Sequence, residues 1–547
     1  MATDPKESSQ LLDPANALCD GELRGSTTGD GSTAVQAGDP VPLCVDLDGT
    51  LLRTDLLWEA LFAMLGEKPG MIIRLPGWLR QGKATLKHHI AAHVVPDAAY
   101  LPYRRDVLEF LQQQKAAGRT LVLATASHQH YADAVAQHLD GLFDHAIGSN
   151  DTHNRRGEVK IRAVAEAVGE TFDYMGDSDA DLPLLEACRY IYLVDPSRRL
   201  REAAAATDKV RRTFDDGPTV ATPQAAGLDG TGEADLKVAA SPTRAPASGF
   251  RAKLKLIRPH QWAKNALLLV PMIMAHQLDF ATLGWALLGI TAFCCSASAI
   301  YIFNDLVDID SDRRHKSKRR RPLAAATVSV PAALKLGVGL LLLGLTAGGL
   351  AALGPGGWAF FGWVLLYLGL TTVYSFSLKR RLLVDVILLG WLYTHRVLAG
   401  GIVTDIVVSQ WLLAFSTFLF ISLAFAKRYT ELHHAPPGKA NARRGYLPED
   451  LPLIGNIGPT SGFMALLVFC LYLNDLRTGG DPLQQGLYET PWLLWLIVPV
   501  MMFWILRLWF FAFRGELDDD PIVFAVRDRV SYACFVVVAL LLILASV

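Results

Sequence analysis

The seven cysteines (Cys19, Cys44, Cys188, Cys294, Cys295, Cys470 and Cys534) contain no CxxC pair and no metal-ligand spacing. A zinc module and a disulfide framework are therefore excluded, and reduced, structural thiols are expected. Net charge is equally scarce, −1 over 547 residues, and the cations fall in short clusters rather than along a continuous soluble stretch, which argues against nucleic acid as a partner. The beginning of the chain lacks a basic segment leading into an apolar one, so no export of the first globular region is expected. Long apolar runs are missing up to about Phe214 and then recur at membrane-spanning length from Asn265 onward. The chain thus divides into a soluble half and a membrane half.

What is present is most concentrated between Asn304 and Arg321, where NDLVDIDSDRRHKSKRRR follows one apolar run and precedes another. On a continuous helix Asp305, Asp308 and Asp312 fall at i, i+3 and i+7 and share one face, with Asp310 turned away. Like charges stacked where a helix leaves the membrane are costly. A hard divalent cation, bridging these oxygens to a phosphorylated substrate, is the simplest compensation. A magnesium-diphosphate site at a membrane surface is the expectation.

The soluble half begins, after residues 1–40 of disordered composition, with a short apolar run, Val41 to Val45. It delivers Asp46-Leu47-Asp48-Gly49-Thr50 at its end, as a buried parallel strand delivers acids to a binding crevice. Leu56 to Val95 has helical patterning broken near Pro69-Gly70 and Pro76-Gly77, and reads as a small helical cap. Thr120 to Ala124 is a second strand closed by Thr125-Ala126-Ser127; Lys160 opens an amphipathic helix; YMGDSDADLP brings Asp177, Asp179 and Asp181 to another strand end.

These stations, in this order, resemble the haloacid-dehalogenase phosphatase superfamily over residues 41–214, implying an α/β Rossmann-like fold with a small cap. The resemblance implies Asp46 as nucleophile, Asp48 as general acid and then base, and Thr125, ahead of Ser127, with Lys160 on the phosphoryl oxygens. Asp46, Asp177 and Asp181 would carry magnesium. Those residue types suit in-line phosphoryl transfer, which needs a nucleophile, charge neutralisation and an acid for the leaving group.

Residues 215–249, rich in Gly, Ala, Pro and Thr, read as a flexible linker. Residues 250–547 then read as an all-α polytopic bundle of about nine spans, near 265–279, 283–303, 330–352, 358–376, 383–402, 409–426, 460–475, 491–512 and 529–547. The loops after the second, fourth, sixth and eighth are basic: Arg313 through Arg321; Lys379 to Arg381; Lys427, Arg428, Lys439, Arg443 and Arg444; then Arg514, Arg527 and Arg529. The alternate loops carry almost no cations, Arg477 excepted, so the basic loops and the N-terminal domain are expected in the cytoplasm at a cell (inner) membrane. Arg396 lies inside a span and needs a partner, for which Asp385 on the same span is the expectation.

NDxxDxxxD at the end of the second span resembles the UbiA-type intramembrane transferases, which implies that Asp305, Asp308 and Asp312 hold magnesium and a diphosphate leaving group. With IRPHQWAKN, AKRYTEL and RDRV, the stretch looks most like the decaprenyl-phosphate phosphoribosyltransferases. That likeness implies transfer of 5-phosphoribose from phosphoribosyl diphosphate to a polyprenyl phosphate for cell-wall arabinan. The second acidic motif of ordinary prenyltransferases is reduced here to Asp385, preceded by Lys379, Arg380 and Arg381. Lys264, Asn304, Lys379, Arg396, Lys427 and Arg428 are the substrate-binding candidates. The phosphatase half is expected to dephosphorylate the product. Alternatives are a prenyltransferase acting from a prenyl diphosphate on a small acceptor, and a soluble domain that only regulates. A transporter is disfavoured because the polar groups gather at one membrane face. Polyprenyl length and any homo-oligomer stay open.

Overall fold

A computed structural model of the chain describes residues 41–151, 154–215, 249–434, 445–478, 488–517 and 521–546. The expected disordered tail (1–40), all but the ends of the expected linker (215–249), and Lys439, Arg443 and Arg444 lie outside the described residues.

Six parallel strands form one sheet in the order β3-β2-β1-β4-β5-β6: β1 Leu43–Val45, β2 Leu121–His128, β3 His145–Ser149, β4 Asp173–Gly176, β5 Ile191–Val194 and β6 Val210–Phe214. Both faces are covered. Leu43, Val45, Leu121, Leu123 and Met175 enter one apolar core, while Cys44, Val122, Ala124 and Tyr174 enter the other. That alternation explains why the strands read as unbroken apolar runs. Because β1 sits between β2 and β4, the order in which strands are added to the sheet reverses there, and such sheets open a crevice at the carboxyl end of that point.

The cap is inserted between β1 and β2. It comprises α1 (Leu56–Glu67), a 3₁₀ turn at Pro69–Ile73 where the Pro69-Gly70 break was expected, the Leu75–Gln81 helix and α2 (Lys83–His93). Asp55 caps α1 by accepting from the amides of Leu57 (2.9 Å) and Trp58 (3.3 Å). Further on, α3 (Glu158–Val168) carries Lys160.

Among the described residues, eight helices are long and apolar enough to cross a membrane, and the protein is a multi-pass membrane protein. They include α4 (Phe280–Val307), α6 (Val330–Ala351), α7 (Gly357–Phe376), α8 (Val384–Thr404) and α9 (Gln410–His433); the short α5 (Ile309–Arg314) lies between α4 and α6. The expected seventh span is part of a longer helix, Leu451–Thr478, that tolerates Pro459 in its interior. The expected first span differs. It is a 3₁₀ stretch, Pro259–Leu269, followed by the five-residue helix Val270–Met274, because Pro259 and Pro271 remove amide donors at the start of each piece. This segment enters the bundle against α8, where a Cβ on Gly400 would lie 2.1 Å from the Leu268 carbonyl oxygen. Only glycine permits that approach.

The halves are not simply tethered. The α1 face carrying Trp58 and Phe62 packs on an apolar cluster of Leu256, Ile302, Leu306, Ile309 and Leu323 at the end of α4.

Candidate active sites

The first site assembles at the carboxyl ends of β1, β2 and β4. Gly49 makes it possible: its φ is +82°, and a Cβ would fall 2.1 Å from Asp177 Oδ2. The backbone therefore turns left-handed there and lets the Asp177 carboxylate close over the turn. Asp177 also accepts from Thr50 Oγ1 at 3.2 Å. Asp46, Asp177 and Asp181 each offer an oxygen, all within 4.8 Å of one another. Lys160, only 2% exposed, donates to Asp46 Oδ1 at 2.6 Å and to the Tyr174 hydroxyl at 2.6 Å. Tyr174 in turn donates to Asp181 Oδ1 at 2.8 Å.

One lysine does not balance three carboxylates. Burial, with the charges of Asp46 and Asp181, pushes the Asp177 carboxyl up to about 8, and burial raises Asp46 to about 7 against the opposing pull of Lys160. Lys160 is itself raised: burial opposes its charge, but Asp46 and Asp181 outweigh it. A crowded, charge-deficient trio of oxygens is what a hard divalent cation needs.

Asp48 stands apart from that trio. Its Oδ1 accepts the Leu56 amide at 2.9 Å, and its Oδ2 accepts Ser127 Oγ at 2.5 Å and Thr125 Oγ1 at 3.4 Å. Burial, then the Asp55 charge, lift it to about 7. A carboxyl held there can give and take a proton near neutrality. Thr125 and Ser127 thus both face Asp48, and the Thr125 hydroxyl also accepts the Ser127 amide at 3.0 Å. Two partners escaped sequence reasoning. Tyr174 lies in a strand and Lys87 within the cap segment, neither singled out by the sequence, yet Lys87 Nζ reaches the Ala126 carbonyl at 2.5 Å and Asn154 Oδ1 at 2.8 Å beside the site.

The second set of polar residues gathers where α4 ends. The helix is interrupted at Asp308 (φ −94°, ψ 8°) and resumes as α5, so the expected continuous helix is two pieces. Asp305 and Asp312 nevertheless converge on one atom: Arg321 Nη1 lies 3.1 Å from Asp305 Oδ1 and 2.7 Å from Asp312 Oδ2. Arg258, whose backbone is left-handed at φ +56°, places Nη2 at 2.5 Å from Asp305 Oδ1. Asp308 is more open, with Lys379 Nζ at 3.9 Å. Asn304 Nδ2 donates to Ser375 Oγ at 3.0 Å. Arg258 and Arg321 stand in the quoted motifs, but nothing in a linear pattern pairs them with these acids.

Arg396 is not held by Asp385. It donates to Asn265 Oδ1 (2.9 Å), the Leu392 carbonyl (2.5 Å) and the Tyr367 hydroxyl (3.1 Å), because at this point of α8 the 3₁₀ segment brings an amide oxygen within reach. Asp385, fully buried, instead faces Arg428 Nε at 2.8 Å and accepts from the Tyr446 hydroxyl at 2.7 Å. Lys264 is buried with its ammonium 5.6 Å from the Tyr393 ring centre, while Lys427 is half-buried next to Arg428.

Residues 266–533 match the UbiA prenyltransferase family, and residues 43–186 match the haloacid dehalogenase-like hydrolases. The chain is 34% identical over 501 residues to uncharacterized protein y4nM of Sinorhizobium fredii, covering 90% of this chain and 88% of that one. The chain belongs to the UbiA prenyltransferase family. It is also 32% identical to nodulation protein NoeC of Azorhizobium caulinodans (53% of this chain, 92% of that one). The decaprenyl-phosphate phosphoribosyltransferase of Mycobacterium tuberculosis is 30% identical, again over 53% of this chain and 92% of its own. This UbiA-family protein therefore joins a membrane transferase to a hydrolase-like domain in one enzyme.

Proposed function

We propose that the membrane half transfers 5-phosphoribose from phosphoribosyl diphosphate to a polyprenyl phosphate, and that the N-terminal half removes the 5-phosphate from the product. The observation that carries the choice of donor is the fate of Asp385. The position where prenyltransferases keep a second acidic motif holds a carboxylate fully buried against Arg428 and Tyr446, beside Lys379, Arg380 and Arg381. A single carboxylate already engaged by Arg428 and Tyr446 offers too few oxygens for a second metal on a prenyl diphosphate. Exposed Arg380 and Arg381, with half-buried Lys379, suit a second phosphate. Relatives named decaprenyl-phosphate phosphoribosyltransferase support the same reading.

Asp305, Asp308 and Asp312 would hold magnesium in the transferase, as would Asp46, Asp177 and Asp181 in the phosphatase; there it supplies neutralisation of the departing diphosphate and of the attacked phosphoryl group, respectively. Arg321 bridges Asp305 and Asp312, so these two would take magnesium only with that guanidinium displaced, whereas Asp46, Asp177 and Asp181 are the one set among the described residues whose three oxygens already lie within 4.8 Å of one another. Lys264, Asn304, Lys379, Arg396 and Lys427 would position the two substrates, with Arg428 holding α8 and α9 together through Asp385. A phosphate monoester is already anionic near neutrality, so orientation and charge complementarity suffice without a dedicated base.

In the N-terminal half Asp46 attacks the phosphoryl group, Lys160 and Thr125 bear its oxygens, and Asp48 passes a proton to the leaving sugar oxygen before taking one from water. Domain limits of 41–214 and 250–547, and a cytoplasmic face for both sites, follow from composition and the basic loops. The test is to supply the purified protein with phosphoribosyl diphosphate, magnesium and decaprenyl phosphate. Asp46→Asn should accumulate the phosphorylated lipid; identical products from mutant and wild type would end the two-step reading.

A further inference from the structure

One buried ion pair joins the two halves next to the diphosphate motif. Arg313, the residue after Asp312, donates Nη1 to Glu59 Oε2 at 2.7 Å and Nη2 to Glu59 Oε1 at 2.6 Å. Both side chains are nearly sealed from solvent, at 6% and 5% exposure. Glu59 also accepts from the Thr54 hydroxyl. Arg313 Nε is spent on the Ala324 carbonyl at 3.1 Å, three residues beyond the Arg321 that bridges Asp305 and Asp312. The surrounding contact is fitted as well. A Cβ on Gly66 would lie 2.5 Å from Val307 Cγ1, Arg314 pairs with Asp97 at 3.6 Å, and its guanidinium sits 5.2 Å from the Tyr100 ring centre.

The geometry points to Glu59 as a positioning residue for the transferase: the phosphatase-like domain, through Glu59, fixes Arg313 and with it α5 and the loop carrying Arg321. A bidentate guanidinium–carboxylate pair sets orientation as well as distance, and such outer contacts decide how accurately first ligands are held. The cap of one enzyme is thereby a structural part of the other's site. Among the described residues, neither the Glu59 nor the Thr54 side chain hydrogen-bonds or pairs with Asp46, Asp177 or Asp181; Thr54 meets that site only through its backbone carbonyl, which accepts the Gly49 amide at 3.2 Å, and a change of side chain leaves that bond in place. The inference rests on the transferase role of Asp305, Asp308 and Asp312, whichever diphosphate is the donor.

Hydrogen–deuterium exchange on the full-length protein tests it without requiring turnover. In E59Q, amides of 309–325 should exchange about tenfold faster than in wild type, and the magnesium concentration for half-maximal transfer should rise about tenfold. Hydrolysis of p-nitrophenyl phosphate should stay within about twofold, since a loss confined to outer support of the other site leaves Asp46 untouched. Glu59→Asp should recover part of both effects. Unchanged exchange and magnesium dependence in a folded E59Q would overturn the assignment. Should E59Q not fold, T54V, which removes only the hydroxyl on Glu59, should show the same signature at smaller amplitude, and a silent T54V would overturn it. A wild type that consumes no diphosphate donor would refute the transferase reading, while the exchange comparison would still decide the positioning role.

Discussion

Replacing Gly49 with alanine isolates what the turn after Asp48 does, because Gly118 provides a matched control. Both have φ +82°; a Cβ at Gly49 would meet Asp177 Oδ2 at 2.1 Å, whereas at Gly118 nothing lies within 4 Å. Left-handed strain alone costs about 1–2 kcal/mol, which is the whole expectation for G118A. Crowding adds about 1–3 kcal/mol, so G49A should lose about 2–5 kcal/mol. For a domain of this size each kcal/mol moves the midpoint by about 2–4 °C, readable as thermal inactivation of p-nitrophenyl phosphate hydrolysis. Asp177 must also move aside, so G49A should need about 10–100-fold more magnesium, while G118A should not. Equal stability and equal magnesium dependence in the two variants would refute the placement of Asp177 over Gly49.

Three further outcomes follow from the same geometry. Asp48, which stands outside the metal-binding trio, is held at about 7 and must be protonated to give its proton to an alkyl leaving group, so kcat/KM for an alkyl phosphate should fall as pH rises through about 7. For p-nitrophenyl phosphate, whose leaving group needs no proton, the alkaline limb should vanish in a pH-rate series. Asp177, raised to about 8 from an unfolded value near 3.8, costs stability progressively as pH rises between the two, so magnesium should raise the thermal midpoint more at pH 8 than at pH 5. R428M, which leaves buried Asp385 without the guanidinium charge, should destabilise the membrane half by about 3–5 kcal/mol, seen as faster thermal aggregation in detergent, and D385N/R428M should regain part of that loss.

The N-terminal fold was largely legible because most chemical stations lie at or near the carboxyl end of a strand, although β2 runs on through Thr125 and Ser127 and Lys160 comes from a helix. Asp46 ends β1, Thr125 lies in β2 and Asp177 follows β4, and a parallel sheet with β1 at its centre must bring those ends together. Register could not be read. Tyr174 reaches both Lys160 and Asp181 only through side-chain length and burial, which no spacing encodes. In the membrane half the helices were legible from apolar length, except where prolines cut the first expected span into a 3₁₀ stretch and a short helix. The partners of its charges were not. Arg396 and Asp385 share α8, and proximity in sequence suggested a pair, but packing gave Arg396 an amide on the segment before α4 and gave Asp385 an arginine from α9. Long-range polar pairing depends on which helix faces meet, and apolar periodicity leaves that choice open. The docking of Glu59 on Arg313 is of the same kind, a contact 254 residues apart in the chain.

The central claim is that the anion-handling face around Asp305, Asp308 and Asp312 takes phosphoribosyl diphosphate as donor. Membranes containing the protein, given decaprenyl phosphate with phosphoribosyl diphosphate and a prenyl diphosphate carrying different labels, test it directly. The ribose label should enter the lipid fraction in a magnesium-dependent way, and D305N should abolish that transfer. Passage of the prenyl label to a small acceptor, with no ribose label in lipid, would contradict the account.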